Sequence, residues 1–303
     1  YYFPEIYIQM ILPLFPSGQQ FVILDMMSKY SYSGFTNQTA HTAGYIVNGI
    51  GVICMSQKIQ NNKHKVINLF FLLLFIFAVF LTGKRGPTIF LLLSLLISYL
   101  ASSKKQNRLK FYLILFVISI LVVIFVSNSL YIIELDKETA LGRMVIKYLT
   151  TIEGLLSGKD VSSGRFVLYR QSWKLFLDKP VFGIGWGQFS EQSLGLINDY
   201  YKSHPHNIYL QVLCEMGLIG FTFFLIPLIY TYRKTFLILR LMNKNNNMQI
   251  YNLGIRFSFF IQTFFILYGV TGNVLTDYNF IAIYILACSI SISTNIKLRR
   301  MPQ

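Results

Sequence analysis

The chain has 303 residues, 54% of them hydrophobic and only 13% charged, where a soluble domain carries about 25% charge. That balance excludes a soluble globular enzyme and points to a polytopic membrane protein. Lys and Arg outnumber Asp and Glu by 27 to 12, a formal net charge of +15, which would suit a nucleic-acid partner were it not for where the charge falls.

Residues 6–27 are apolar but carry Pro13, Pro16 and Gly18, so they read as a broken helix or the remnant of one. A spanning helix needs about 20 mostly apolar residues. Seven stretches meet that measure: His41–Gln57, Val66–Thr82, Gly86–Ala101, Phe111–Ser127, Asn207–Thr231, Ile250–Thr271 and Leu275–Ser293. The segments 58–65, 102–110, 231–249 and 297–303 hold Lys and Arg but no Asp or Glu. They alternate with 83–85, 128–206 and 272–274, so the positive-inside rule places the basic segments in the cytoplasm. Seven spans satisfy that rule without conflict. The charge is then a topology signal, and no nucleic acid is expected as a partner. Cys54, Cys214 and Cys288 all fall in apolar stretches with no CxxC pair and read as small buried hydrophobes.

The large polar segment is the outer loop from Asn128 to Pro205, nearly neutral with eight acidic and nine basic residues. Ala140–Leu156 and Gly164–Leu177 read as helices. In the second, Phe166, Tyr169, Trp173 and Phe176 recur at three- and four-residue steps. Ser162 or Ser163 can cap its start, and Pro180 follows its end. Such an aromatic stripe beside a membrane is expected to lie along the interface. The predicted plan is a membrane part over 1–127, an extracytoplasmic loop with interfacial helices over 128–206 and a second membrane part over 207–303.

Chemistry concentrates between Ser162 and Gly220. Arg165 stands in the first turn of the capped helix, where free N–H groups and the helix dipole attract anions and a guanidinium fork fits phosphate. A surface arginine snorkelling at the interface is the other reading. Arg85, in TGKRGP, sits in an outer turn against the positive-inside trend; it is either a functional cation or a headgroup anchor. His206, in SHPHNIYL, lies at the outer mouth of the helix that starts near Asn207, and imidazole exchanges protons near neutrality. It also reads as a helix-start polar residue, or with His204 as half of a metal site that lacks further ligands. Glu215 falls inside a predicted span, more than two turns after His206, where a carboxylate is costly and faces a bundle interior or a water-filled cavity. Arg256 can snorkel to the cytoplasm, and Asp277 lies near the outer end of its helix. GIGWG, Gly183 to Gly187, has no strand–turn–helix context and reads as a tight turn that lets the loop backbone pack on the membrane part.

Taken in order, these residues resemble the O-antigen ligase/polymerase superfamily. Its pattern is an Arg and an aromatic helix, Pro–x2–Gly–x–Gly, a His-Asn pair, then Glu–x–Gly–x2–Gly. The counterparts are Arg165, Trp173, Pro180, Gly183, Gly185, His206, Asn207, Glu215, Gly217 and Gly220. SGFTNQTAHTAGY, Ser33 to Tyr45, is similar to a segment before a family helix. TGKRGP is similar to the family's outer turn, with Thr82 and Lys84 where serines are usual. Members usually carry ten to twelve spans, three of them after the large loop, so the resemblance implies an N-terminally shortened piece of a longer protein.

The resemblance further implies an all-α integral membrane protein with the architecture of the C-type glycosyltransferases, without cofactor or metal. It implies a glycosyltransferase at the outer face of the cytoplasmic membrane. Undecaprenyl-diphosphate-linked repeat units would be joined into capsular polysaccharide, exopolysaccharide or O-antigen, with chain-length regulator and flippase proteins as partners. In that reading His206 is the base, Arg85 and Arg165 hold the diphosphate, Asn207 orients the imidazole, and Glu215 raises its basicity or holds an acceptor hydroxyl. The alternatives are a ligase that hands finished glycan to lipid A core or protein, and a flippase or transporter.

Overall fold

A computed structural model describes residues 4–28, 36, 39–56, 62–82, 84–102, 146, 149–154, 156–162, 164–192, 204–244 and 249–300. Among these there is no strand and 83% are helical, which makes the protein all-α. The predicted span Phe111–Ser127 and Ser163 lie outside the described residues. Of the predicted helix Ala140–Leu156, the described residues 146, 149–154 and 156 are helical.

The principal helices are α1 (Ser17–Ser28), α2 (Thr39–Ser56), α3 (Asn62–Leu81), α4 (Arg85–Ser102), α5 (Arg165–Asp178), α6 (Phe189–Gln192), α7 (Ile208–Lys244), α8 (Gln249–Tyr268) and α9 (Tyr278–Arg300). Among the described residues, three are long and apolar enough to cross a bilayer: α4, α7 over Ile208–Asn243, and α9. The apolar stretches Val66–Val79 in α3 and Asn252–Tyr268 in α8 are shorter. In α2, Thr39, His41, Thr42 and Asn48 dilute the apolar sequence. Helices α7 and α9 continue beyond their predicted ends at Thr231 and Ser293. The basic segments expected to be loops are partly helix: Lys234 lies 5.5 Å from the Tyr230 ring centre and Arg240 4.4 Å from that of Phe236, and Lys297, Arg299 and Arg300 end α9, where positive charge complements the helix dipole.

By internal packing the chain forms two compact units, 1–92 with 103–159, and 93–102 with 160–303. In the first, residues 4–28 are the broken helix expected. A π-helical turn (Tyr7–Ile11) and a 3₁₀ turn (Leu12–Leu14) end at Phe15, whose ψ of 148° is extended as the residue before Pro16 requires. Ala43, Val47 and Ile50 recur at helical spacing on α2 and are fully buried, while α3 exposes Val66, Leu69, Phe70 and Leu73. Exposed apolar side chains at this density suit lipid contact rather than water.

In the second unit α7, α8 and α9 pack together around Ile238, Leu239, Met242, Ile255 and Phe259, with Ile97 and Ala101 of α4 against them. A buried polar network ties the three helices. The Thr235 hydroxyl lies 2.8 Å from the Ser291 hydroxyl, and Gln262 Nε2 donates to Thr235 Oγ1 at 2.9 Å. Arg256 donates to Asn252 and, at 3.1 Å, to Asn243 Oδ1, and Asn243 Nδ2 donates to the Ala101 carbonyl at 3.2 Å. Arg256 therefore bonds the C-terminal end of α7, where Asn243 in turn bonds that of α4.

Candidate active site

The start of α5 is built by a relay. Asp160 Oδ1 accepts from the Ser162 N–H at 2.7 Å, and Ser162 Oγ accepts from the Phe166 N–H at 3.2 Å. The Ser162 bonds hold the Asp160 carboxyl below the usual carboxylate range. Gly164, with φ of 79°, occupies the cap position and turns the chain into the helix. Ser162 thus caps as expected, from two residues before the cap position, and Arg165 is the first helical residue. The buried face of α5 is Leu168, Ser172, Leu175 and Phe176. Of the predicted aromatic stripe only Phe176 belongs to it; Phe166 and Trp173 are exposed. Leu168, Leu175 and Phe176 pack with Phe189 of α6 and Cys214 of α7.

Helix α7 is not continuous. Gly217 has φ 65° and ψ −168°, which breaks the helix between Met216 and Leu218. A break there frees the carbonyls of Cys214 and Glu215 and the N–H groups of Leu218 and Ile219, which would otherwise bond one another. The Pro180–Gly185 segment satisfies all four. Ile184 N donates to Cys214 O at 3.0 Å, Gly185 N to Glu215 O at 2.9 Å, Leu218 N to Pro180 O at 2.8 Å and Ile219 N to Val181 O at 3.3 Å. Gly183 (φ 72°) and Gly185 (φ 108°) supply the left-handed turns this pairing needs. GIGWG is thus the tight turn the sequence predicted, and Gly183 and Gly185 in it serve backbone contact. A broken helix at membrane depth is tolerated where its freed groups find partners in this way.

Glu215 sits at that break, 2% exposed. Its Oε1 accepts from the Phe189 N–H at 3.2 Å and its Oε2 from Gln211 Nε2 at 3.3 Å. The carboxylate therefore anchors the start of α6 to α7. Asn207 Oδ1 accepts from the N–H groups of Tyr209 (3.0 Å) and Leu210 (3.1 Å), the geometry of an N-cap. The start of α7 is also fixed by Ile208 N, which donates to Gly269 O at 2.9 Å.

Between these anchors stands His206. At φ 52° it is, among the described residues, the non-glycine residue with positive φ. Histidine adopts this region more readily than most residues, yet such outliers cluster at functional sites. Its carbonyl lies 3.4 Å from the Tyr169 hydroxyl, which is also 3.3 Å from the Val270 carbonyl. Tyr169 is one turn after Arg165 on the same face of α5. Burial raises the Tyr169 phenol above its usual range, and the Arg165 charge offsets part of that rise. Arg165, Tyr169, the His206 backbone and the α8–α9 turn accordingly meet in the second unit.

Arg85 belongs to the first unit. It opens α4, and its Nη1 donates to Thr151 Oγ1. Among the described residues no group of three His, Cys, Asp or Glu is arranged to hold a metal ion. Sequence reasoning gave no role to Tyr169 and none to the Gln211–Glu215 pair. The spacing of four residues in Arg165–Tyr169 and in Gln211–Glu215 is the signal that was there to read.

A family model described as O-antigen ligase matches residues 70–225, just over half of the chain. The matched stretch contains Arg85, Arg165, His206, Asn207 and Glu215, and both halves of the paired Gly183–Gly217 break. No curated protein matches the chain.

Proposed function

The chain belongs to the O-antigen ligase family, and on that footing we propose that it is a membrane glycosyltransferase that polymerises undecaprenyl-diphosphate-linked repeat units at the outer face of the cytoplasmic membrane. The observation that carries the reading is the meeting of Arg165 and His206 through Tyr169, whose hydroxyl lies 3.4 Å from the His206 carbonyl one helical turn after Arg165.

In the reaction, an acceptor sugar hydroxyl of one lipid-linked repeat attacks the anomeric carbon of the donor glycan. The new glycosidic C–O bond forms as the bond to the diphosphate breaks. Undecaprenyl diphosphate leaves with that electron pair, and the hydroxyl proton passes to His206. General-base help of this kind contributes about 10²–10⁴-fold. Negative charge grows on the departing diphosphate, and a fixed cation stabilises it; Arg165 takes that role. Asn207 acts by starting α7 beside His206. Glu215 acts by holding the paired loop in place, which keeps α5 and Arg165 against α7.

Deletion of the gene and complementation with wild type, Arg165→Ala or His206→Ala at matched expression tests this. Polymerase activity predicts that both variants lose the polymer ladder and accumulate single lipid-linked repeats. A complete lipid-linked ladder that never reaches a final acceptor assigns ligation instead. A normal ladder in both variants contradicts the site.

A further inference from the structure

Hydrogen bonds fix how far along α7, α8 and α9 the charged residues fall. Thr235 of α7 meets Ser291 of α9 at 2.8 Å and Gln262 of α8 at 2.9 Å. Leu298, further along α9, packs with Ile238, Leu239 and Met242, which lie further along α7. Helices α7 and α9 therefore run the same way. Helix α8 runs against them: Arg256, which precedes Gln262, donates at 3.1 Å to Asn243, which follows Thr235. At about 1.5 Å per residue, Arg240, Lys297, Arg299 and Arg300 lie about 8–14 Å past the Thr235 level. Together with Arg256 they gather at one end of the bundle. Between residues 231 and 300 the acidic residue is Asp277, which precedes the first residue of α9 and so lies at the opposite end.

Arg240, Lys297, Arg299 and Arg300 are exposed, and cations so close together repel unless an anionic partner is near. Leu237, Leu241, Ile292 and Ile296 are exposed beside them. Ile292, Ile296 and Arg300 follow one another at four-residue steps and share a face of α9, and Leu237 stands one turn before Arg240 on α7. A soluble anion would meet the cations and leave these apolar side chains in water. An anionic phospholipid covers both, its acyl chains on the leucines and isoleucines and its phosphate on the basic heads. We propose that this end of α7 and α9 is a binding surface for the anionic phospholipid headgroups of the bilayer leaflet that it enters. The surface lies outside the stretch matched by the family model, which ends at residue 225.

The test measures lipid binding to the detergent-solubilised full chain, with phosphatidylglycerol and phosphatidylcholine of the same acyl chains as probes. Phosphatidylglycerol is expected to bind more tightly, by a margin that shrinks as salt rises. Arg240→Gln should weaken its binding about fivefold, and Arg299→Gln with Arg300→Gln about 25-fold, the worth of one and of two cations at an anionic surface. Binding of phosphatidylcholine should not change, nor should melting without lipid, because these side chains are exposed. Leu241→Ser with Ile296→Ser should weaken binding of both lipids. Arg170→Gln on α5, an exposed cation elsewhere, should leave both as in wild type. Equal affinity for the two lipids, or arginine variants that bind phosphatidylglycerol as wild type does, would overturn the proposal. So would polyglutamate that displaces phosphatidylglycerol from a surface where Leu241→Ser with Ile296→Ser has no effect, since that pattern assigns the cations to a soluble acidic partner. These measurements need no glycan, so their outcome is separate from that of the reaction proposed above.

Discussion

Gly183 and Gly217 meet backbone to backbone: a Cβ on Gly183 would fall 2.6 Å from the Gly217 nitrogen, and a Cβ on Gly217 would fall 2.6 Å from the Gly183 nitrogen. Each also has positive φ. One contact between two glycines therefore joins the outer loop to the broken helix. It accounts physically for two glycine motifs about thirty residues apart in sequence.

Alanine at either position is expected to prevent the protein from folding. The backbone atoms it would strike, including Val181 O at 2.3 Å and Glu215 C at 2.4 Å, cannot move aside as a flexible side chain would. Gly187 offers the control. It has φ 79° but open space around its Cα, so alanine there should cost only about 1–2 kcal/mol. Detergent-extracted yield and thermal unfolding measure both; equal behaviour at Gly183, Gly217 and Gly187 would contradict the pairing.

Removing the Glu215 carboxylate should release α6. Glu215→Ala leaves the Phe189 N–H without its acceptor, a loss of about 1–3 kcal/mol for a buried group. Hydrogen exchange at the Phe189 amide is the readout, with faster exchange expected there than in the α8–α9 core. Unchanged protection of Phe189 would separate Glu215 from the loop.

Tyr169→Phe keeps the ring, which lies edge-on to Phe166 at 6.1 Å, and deletes the hydroxyl that reaches His206 and Val270. One neutral hydrogen bond is worth about 1 kcal/mol. Glycan transfer should therefore fall about fivefold with the fold intact. Loss of the folded protein, or no change in rate, would refute the link between α5 and His206.

Two groups outside the spans set the pH response of this region. Burial raises Tyr169, so the stability from its neutral phenol is fully present below the unfolded value of about 10 and is lost as pH rises through the higher folded value. Asp160 is lowered, so its contribution is present above the unfolded value of about 3.9 and is lost as pH falls through the folded one. The difference in melting temperature between wild type and Tyr169→Phe should stay flat from about pH 5 to 9 and shrink in stronger base. For Asp160→Ala it should shrink only in acid. A slope between those limits in either comparison would contradict the assignment.

The described helices were legible because apolar length is a local signal. So was the start of α7 near Asn207, though not the capping by its side chain. The break at Gly217 was not. A glycine in a helical pattern is normally tolerated, and what opens the helix is a set of backbone partners some thirty residues earlier, which periodicity cannot register. Which residues of α5 pack inward was not legible either. The aromatic residues have the larger surface, but α5 turns Leu168, Ser172 and Leu175 inward to meet Phe189 and Cys214. The partners of Glu215 were hidden as well, since one of them is the backbone N–H of Phe189.

The most direct test of the proposed activity reconstitutes the protein in lipid nanodiscs with purified undecaprenyl-diphosphate-linked repeat units and nothing else. Wild type should convert single repeats into a ladder of longer lipid-linked chains and release one undecaprenyl diphosphate for each bond formed, while His206→Ala should leave the repeats single. Repeats that stay single with folded wild-type protein, or a ladder that His206→Ala makes equally well, would contradict the account.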